Sequence, residues 1–216
     1  RRPGRTQLAP EIYQQWVKPL PDLTDREYEV LPLVTGLLTE VGLGDSDYLA
    51  VQDRHSATVG SMAAGTLTRS ARDNVQACSG WLLLSSKALA NRAQPQVELM
   101  HDTFTGARFD EPSRLRELIS QTRARKDQSI TGNGHMLAMM AATAGMNPLA
   151  QRSHEQGGLE GIRRLRSLDK ALKDDPALEA LMAELSALHQ RVFVSDGLRL
   201  ATIADHDHLE HAHGLA

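Results

Sequence analysis

Cysteine is nearly absent from the 216-residue chain: Cys78 is the only one. A single thiol excludes an internal disulfide framework and fits a reducing compartment. Charge of either sign is also not in excess, with a net charge of −3 and a pI near 6.3. Without a strongly basic face the chain has no nucleic-acid footprint, so no nucleic-acid partner is expected. Long apolar runs are missing too. None approaches the roughly 18–20 residues that span a bilayer, so no membrane partner is expected. The basic start, Arg1 to Arg5, leads into no apolar stretch and does not read as a signal peptide. An initiating methionine is lacking, which suggests numbering that begins inside a longer chain. Aromatics are the scarcest core material, at 4%. The core is therefore expected to be built from Leu, Ala, Val and Met, three of which lose little rotamer freedom in a helix.

What is present divides into short β-prone stretches at both ends and in the first half, with helical periodicity elsewhere. Residues 1–10 are basic, carry two prolines and read as a linker. Residues 11–18 place Ile12, Trp16 and Val17 among polar residues and read as a strand closed by Pro19 and Pro21. Asp22 or Thr24 is placed to cap the next segment. From Glu27, the residues Val30, Leu33, Val34, Leu37, Leu38 and Val41 recur at helical steps, with Pro32 expected in the opening turns and Gly42 and Gly44 at the end. A short helix through Tyr48, Leu49 and Val51 is expected to open at Asp45 or Ser46. Residues 58–70 and 75–86 read as an antiparallel pair around Arg72-Asp73-Asn74, the second strand the more buried. Helix then dominates to about residue 192, with stripes at Leu115, Leu118 and Ile119, at Ile162, Leu165 and Leu168, and at Leu178, Leu181, Leu185 and Leu188. Residues 197–204 alternate as a last strand, and 205–216 begin a terminal helix. The expected fold is α+β: residues 11–204 form one domain with a mixed sheet of about four or more strands covered by many helices, the terminal strands pairing within it.

No stretch spells a catalytic motif. His206, His208, His211 and His213 crowd the C-terminus with Asp207 and Glu210, and imidazoles three apart on a helix can share a metal ion. An inverted zinc motif, His-x-x-Glu-His, would need a histidine where Asp207 stands. His154-Glu155 starts the direct motif, His-Glu-x-x-His, which then ends on Gly158. The tail reads as a solvated helix start. Ser79 lies outside a nucleophile elbow and is expected to face inside or along its strand. Cys78 reads as a small buried hydrophobe. Gly132-Asn133-Gly134 lacks the strand and the Lys-Ser/Thr of a phosphate loop and reads as a helix break. Arg123, Arg125 and Lys126 read as a solvated helix side, and Asp47 and Glu40 form no evident acid–base pair. The expectation is that the chain holds no catalytic, cofactor-binding or metal-ligating residue.

Several ordered segments carry a resemblance. Residues 28–51, from Tyr28 through Pro32 and Gly44 to Val51, then Gly80 to Leu89, look like stretches of presequence-protease-type peptidases in the pitrilysin–insulinase family. Between Arg114 and Leu165, the runs Arg114–Ile119, Ser129–His135 and Gly157–Leu165 follow in the order and spacing of the same proteins. The resemblance covers about residues 11–204. It implies an insulinase-like metallopeptidase domain, one of four similar α+β domains arranged as two bowl-shaped halves around a closed chamber. The zinc of such an enzyme sits in the first domain, whereas this chain resembles the third. The implied role is a non-catalytic part of the chamber wall, inactive alone, whose partners are the zinc-bearing N-terminal half and unstructured peptide substrates. The alternative is a free-standing interaction module that docks on a catalytic partner. Eukaryotic relatives act in organelles; an Arg- and Ala-rich chain without a transit segment points to a bacterial cytoplasm.

Overall fold

The computed structural model describes residues 9–215, so the expected linker lies outside the described residues except for Ala9 and Pro10. The chain runs β1 (Glu11–Pro19), α1 (Asp25–Leu37), α2 (Tyr48–Thr58), β2 (Ser61–Ser70), β3 (Cys78–Leu89), α3 (Ala93–Gly106), α4 (Pro112–Gly132), α5 (Gly134–Thr143), α6 (Pro148–Gly157), α7 (Leu159–Ala171), α8 (Asp175–Val192), β4 (Arg199–Ile203) and α9 (His206–Leu215). This is an α+β fold, with the four strands in one sheet in the order β2-β3-β1-β4.

The terminal strands do pair, β1 with β4, through Tyr13↔Ile203 to Val17↔Arg199. The sheet is antiparallel throughout, which corrects the mixed sheet expected from the sequence. The helical crossover through α1 and α2 returns β2 in the same direction as β1. The β2–β3 hairpin then folds β3 back between them, so the two like-directed strands never become neighbours.

Local chemistry sets the element ends. Thr24 caps α1 in a capping box: its hydroxyl accepts from Glu27 N, and the Glu27 carboxylate accepts from Thr24 N at 2.8 Å. Pro32 lies beyond the second turn of α1, deeper than expected, and its missing N–H leaves the Tyr28 carbonyl without its helical donor. Gln156 Nε2 of α6 supplies the replacement at 2.8 Å. Helix α1 ends at Leu37 rather than at the glycines. Gly44, with φ at 54°, shapes the following turn, and its N–H donates to Gly106 O. Asp47, not Asp45 or Ser46, caps α2 by accepting from Ala50 N at 2.9 Å.

The core forms where the helices meet one sheet face. Ile12, Trp16, Leu82 and Leu84 point into it from the strands, and Val30, Val34, Leu115, Ile119, Leu181 and Leu185 come from α1, α4 and α8. At its centre Phe104 packs between Trp16 and Phe193, with ring centroids 5.7 and 5.3 Å away. His189 stacks on Phe193 at 4.6 Å, and its Nε2–H donates to Phe104 O at 3.1 Å.

Burial pushes the His189 imidazole below the ordinary histidine range, and the Phe104 carbonyl, which favours the charged ring, offsets this only in part. Below the unfolded pKa of about 6.5 the unfolded chain therefore binds a proton that the folded chain resists, and stability falls as pH falls. Urea midpoints are expected to drop between about pH 7.5 and about pH 5.5, and to drop less in His189→Gln. Parallel pH profiles for the two proteins would refute the assignment.

Candidate interaction surface

The two faces of the sheet differ. Helices α1, α3 and α9 pack on the face that carries Ile12, Gln14, Trp16, Leu82, Leu84 and Ser86. On the opposite face no side chain is fully buried. It carries Val17, Leu67, Trp81 and Leu83, all part-buried, with Tyr13, Leu89 and Ile203 exposed, the last to 68%. The strand registers place Leu67 beside Trp81, Leu83 beside Val17, and Tyr13 between Lys87 and Ile203. Of the four charged residues here, Glu11 and Lys87 pair with each other, and Arg69 and Arg199 are exposed. Lys87 pairs with Glu11 at 3.0 Å and lies 5.9 Å over the Tyr13 ring. One-sided antiparallel sheets ordinarily turn polar residues to water. This face instead presents an apolar patch through Val17, Leu67, Trp81 and Leu83, separated from Tyr13 and Ile203 by the polar pair Gln15 and Ser85; such a patch marks a surface that meets another body.

Sequence reasoning identified none of these residues as a site. The available signal was the run Trp81-Leu82-Leu83-Leu84, because an unbroken apolar run in a strand implies burial on both faces. The expectation of a buried strand is met on the Leu82 and Leu84 side alone.

A second concavity of about 900 Å³ lies among α1, α4, α7 and α8. Its floor is apolar, with Val30, Leu33, Leu165, Leu168 and Leu181, and its rim is charged. The rim charges satisfy one another. Arg164 reaches Glu29 at 2.6 Å and Glu160 at 2.9 Å, and Arg26 forks onto Glu184 with two bonds of 2.7 Å. Hydrogen bonds from Arg163 and Arg164 hold the Glu160 carboxyl below its usual range. A general base or acid needs the opposite shift, toward neutrality.

The residues weighed from sequence are scattered over the fold. His206, His208, His211 and His213 lie on α9, where His208 Nδ1 meets Asp205 Oδ1 at 2.5 Å. His154 and Glu155 lie on α6, and Glu155 accepts from Gln151 Nε2 at 2.6 Å. Among the described residues no three His, Cys, Asp or Glu side chains converge on a point that would hold a metal ion. Ser79, the second residue of β3, is exposed, which removes the inward-facing half of its expectation. Cys78 is part-buried, not fully buried, 3.9 Å from Ser70 Oγ, because it sits at the loop end of the hairpin, away from the core. Asn133 is the joint where α4 ends and α5 begins, so Gly132-Asn133-Gly134 is a helix break. Arg123 is not a solvated residue: it bridges Asp127 at 3.0 Å and Asp169 of α7 at 2.8 Å, clamping two helices that the sequence could not place together. Arg125 bonds Thr122, and Lys126 borders the cleft. Glu40 pairs with Arg114 and Asp47 caps α2, so the two carboxylates do separate structural work.

Comparison with known proteins assigns the fold a lineage. Residues 12–168 match the family of domains described as associated with peptidase M16, subfamily C. The chain belongs to that family. It is 26% identical over 187 residues to presequence protease 1, chloroplastic/mitochondrial, of Arabidopsis thaliana, covering 85% of this chain and 17% of the relative. It is 23% identical over 171 residues to the mitochondrial presequence protease of Danio rerio, covering 79% and 16%. The chain thus spans about a sixth of the length of these relatives. The crystal structure of a peptidase M16 inactive domain from Pseudomonas fluorescens superimposes with a TM-score of 0.56 at 16% identity, covering 96% of this chain and 45% of that one. That likeness is one of fold. The presequence-protease resemblance read from the sequence and these relatives therefore agree. Among the described residues no group of side chains offers a ligand set for a metal ion.

Proposed function

We propose that this chain is a non-catalytic domain from the zinc-free half of a presequence-protease-like metallopeptidase, and that its bare sheet face forms part of a peptide-degrading chamber. The observation that carries the reading is the apolar patch through Val17, Leu67, Trp81 and Leu83, on the sheet face opposite the one that α1, α3 and α9 cover. Family membership supplies the context. In such an arrangement the wall excludes water and positions substrate while the chemistry resides elsewhere. Its partners are then the zinc-bearing N-terminal half of the same peptidase and unstructured peptides. The proposed setting is a bacterial cytoplasm, in keeping with one part-buried free cysteine. Among the described residues no helix is long and apolar enough to cross a membrane.

The test is reconstitution. The chain alone is expected to leave unstructured peptides intact in the presence of zinc. Mixed with the N-terminal half of a presequence protease it is expected to restore hydrolysis. Leu83→Lys, which changes only the open face, is expected to lower that restored rate about tenfold or more while the circular dichroism stays unchanged. Zinc-dependent cleavage by the chain alone would overturn the reading. Restoration that Leu83→Lys leaves intact would move the partner surface elsewhere, as expected of a module that docks through its helices.

A further inference from the structure

The cleft among α1, α4, α7 and α8 lies apart from the sheet face and has no part in the chamber reading. Its walls are tied together by ion pairs: Arg26 of α1 with Glu184 of α8, Arg164 of α7 with Glu29 of α1, and Arg123 of α4 with Asp169 of α7. Gln156, near the end of α6, also bonds Tyr28 O of α1 at 2.8 Å. The turn into α7 is closely packed, since a Cβ on Gly161 would collide with Gln156 O. Collapse of the walls onto one another would break several of these bonds at once. The volume of about 900 Å³ falls within the range of small-ligand sites, which are mostly apolar, carry a few placed polar groups and occur between packed helices. A partner helix, about 10–12 Å across with its side chains, would fill that volume in about two turns. Two turns fall short of the roughly 800 Å² per partner that a stable protein interface buries.

Charge selects the occupant. The carboxylates of the lining are already bonded: Glu29 to Arg26 and Arg164, Glu160 to Arg163 and Arg164, and Glu155 to Gln151. A cationic ligand would have to displace one of these donors. Lys126 differs from the other charges of the lining. It is part-buried and forms no ion pair among the described residues, and the adjacent Asp127 is held by Arg123 and Arg166. An anionic ligand therefore meets a cation that no carboxylate occupies. We infer that the cleft binds a linear amphipathic carboxylate, with its alkyl chain along Leu33, Leu165, Leu168 and Leu181 and its head group on Lys126. Leu33, Leu165 and Leu168 are only partly buried, so an alkyl chain laid on them removes apolar surface from water. The inference is independent of the chamber reading, which is tested at the sheet face.

The probe is decanoate, titrated below micelle formation into the whole 15N-labelled chain. Amide shifts are expected around Leu33 in α1 and Leu168 in α7, saturating below about 1 mM. Decanol and decylammonium, which share the chain and lack the anion, are expected to bind about fivefold more weakly or worse. Lys126→Met keeps the apolar stem and removes the charge. It is expected to weaken decanoate about fivefold and decanol less than about twofold. Leu168→Asp, which sets a charge on the floor, is expected to weaken both by about tenfold or more, with circular dichroism confirming that the helices persist. Equal binding of decylammonium and decanoate would overturn the inference, as would decanoate binding that Lys126→Met leaves intact. Shifts centred on Trp81 and Leu83 would also overturn it, by assigning alkyl chains to the sheet face. So would the lack of any saturable shift at about 1 mM.

Discussion

Phe104→Ala is expected to lower the unfolding free energy by about 3–5 kcal/mol, read from urea or thermal denaturation of the purified chain. The side chain is 2% exposed and sits edge-on to Trp16 and tilted against Phe193. Truncation removes the transfer energy of a benzyl group and leaves a cavity that the surrounding rings fill only by leaving their own contacts. It also loses aromatic pair geometry worth about 0.5–1.5 kcal/mol per pair beyond area. Domains of this kind have a net stability of about 5–15 kcal/mol, so one substitution removes about a fifth or more of the total. Phe104→Leu keeps most of the volume and is expected to cost about half as much. If Phe104→Ala costs under about 1 kcal/mol, the aromatic cluster is not the keystone of the core.

This cluster shows where composition misleads. Scarce aromatics suggested a core of Leu, Ala, Val and Met, and aliphatic side chains do make up most of it. Yet all three phenylalanines of the chain, Phe104, Phe109 and Phe193, are buried beside His189 and Trp16. Being few, they are concentrated rather than negligible. Periodicity was more reliable where one face of a helix meets one core: the stripe Leu178, Leu181, Leu185 and Leu188 is buried throughout. It was less so on α7, where Leu165 and Leu168 are only partly buried because they floor the open cleft. Strand existence was legible from alternation, but strand direction was not. Whether a sheet is mixed depends on which strand slots between which others, a long-range fact that local pattern does not encode.

The candidate surface was half legible for the same reason. The run Trp81-Leu82-Leu83-Leu84 says that both faces of β3 avoid water, and it does not say what covers them. The fold covers one face with its own helices. That the other is bare within a chain spanning about a sixth of its relatives' length gives the apolar run its meaning. The absence of sequence motifs and the absence of a metal-holding cluster among the described residues are separate observations. The first concerns spacing along the chain. The second concerns distances that only folding creates.

Arg114 is the ion-pair residue whose loss should matter most, and sequence alone could not have distinguished it from the other arginines of the chain. It is 8% exposed at the start of α4. Its Nε donates to Glu40 O at 3.1 Å, Nη2 to the Glu40 carboxylate at 2.9 Å and Nη1 to Glu117 at 3.0 Å, while the guanidinium lies 4.4 Å over the Tyr48 ring. One side chain thus joins the segment after α1, the first residue of α2 and the first turn of α4. Both carboxylates are roughly half exposed and regain water when the arginine leaves, so the full penalty of a broken buried pair does not apply. What remains is the Glu40 carbonyl left without its donor, the buried stem and the cation–π contact, together about 2–3 kcal/mol for Arg114→Ala. Arg114→Lys keeps the charge but not the planar fork that reaches three acceptors, and is expected to restore less than half of that loss. Arg26, which also forks onto a carboxylate but has a side chain 60% exposed, provides the contrast: Arg26→Ala is expected to cost at most about 1 kcal/mol. Denaturation of the three variants in one buffer ranks them. Equal losses at Arg114 and Arg26 would mean that solvent screens both pairs alike and that burial of the guanidinium adds nothing to the joint.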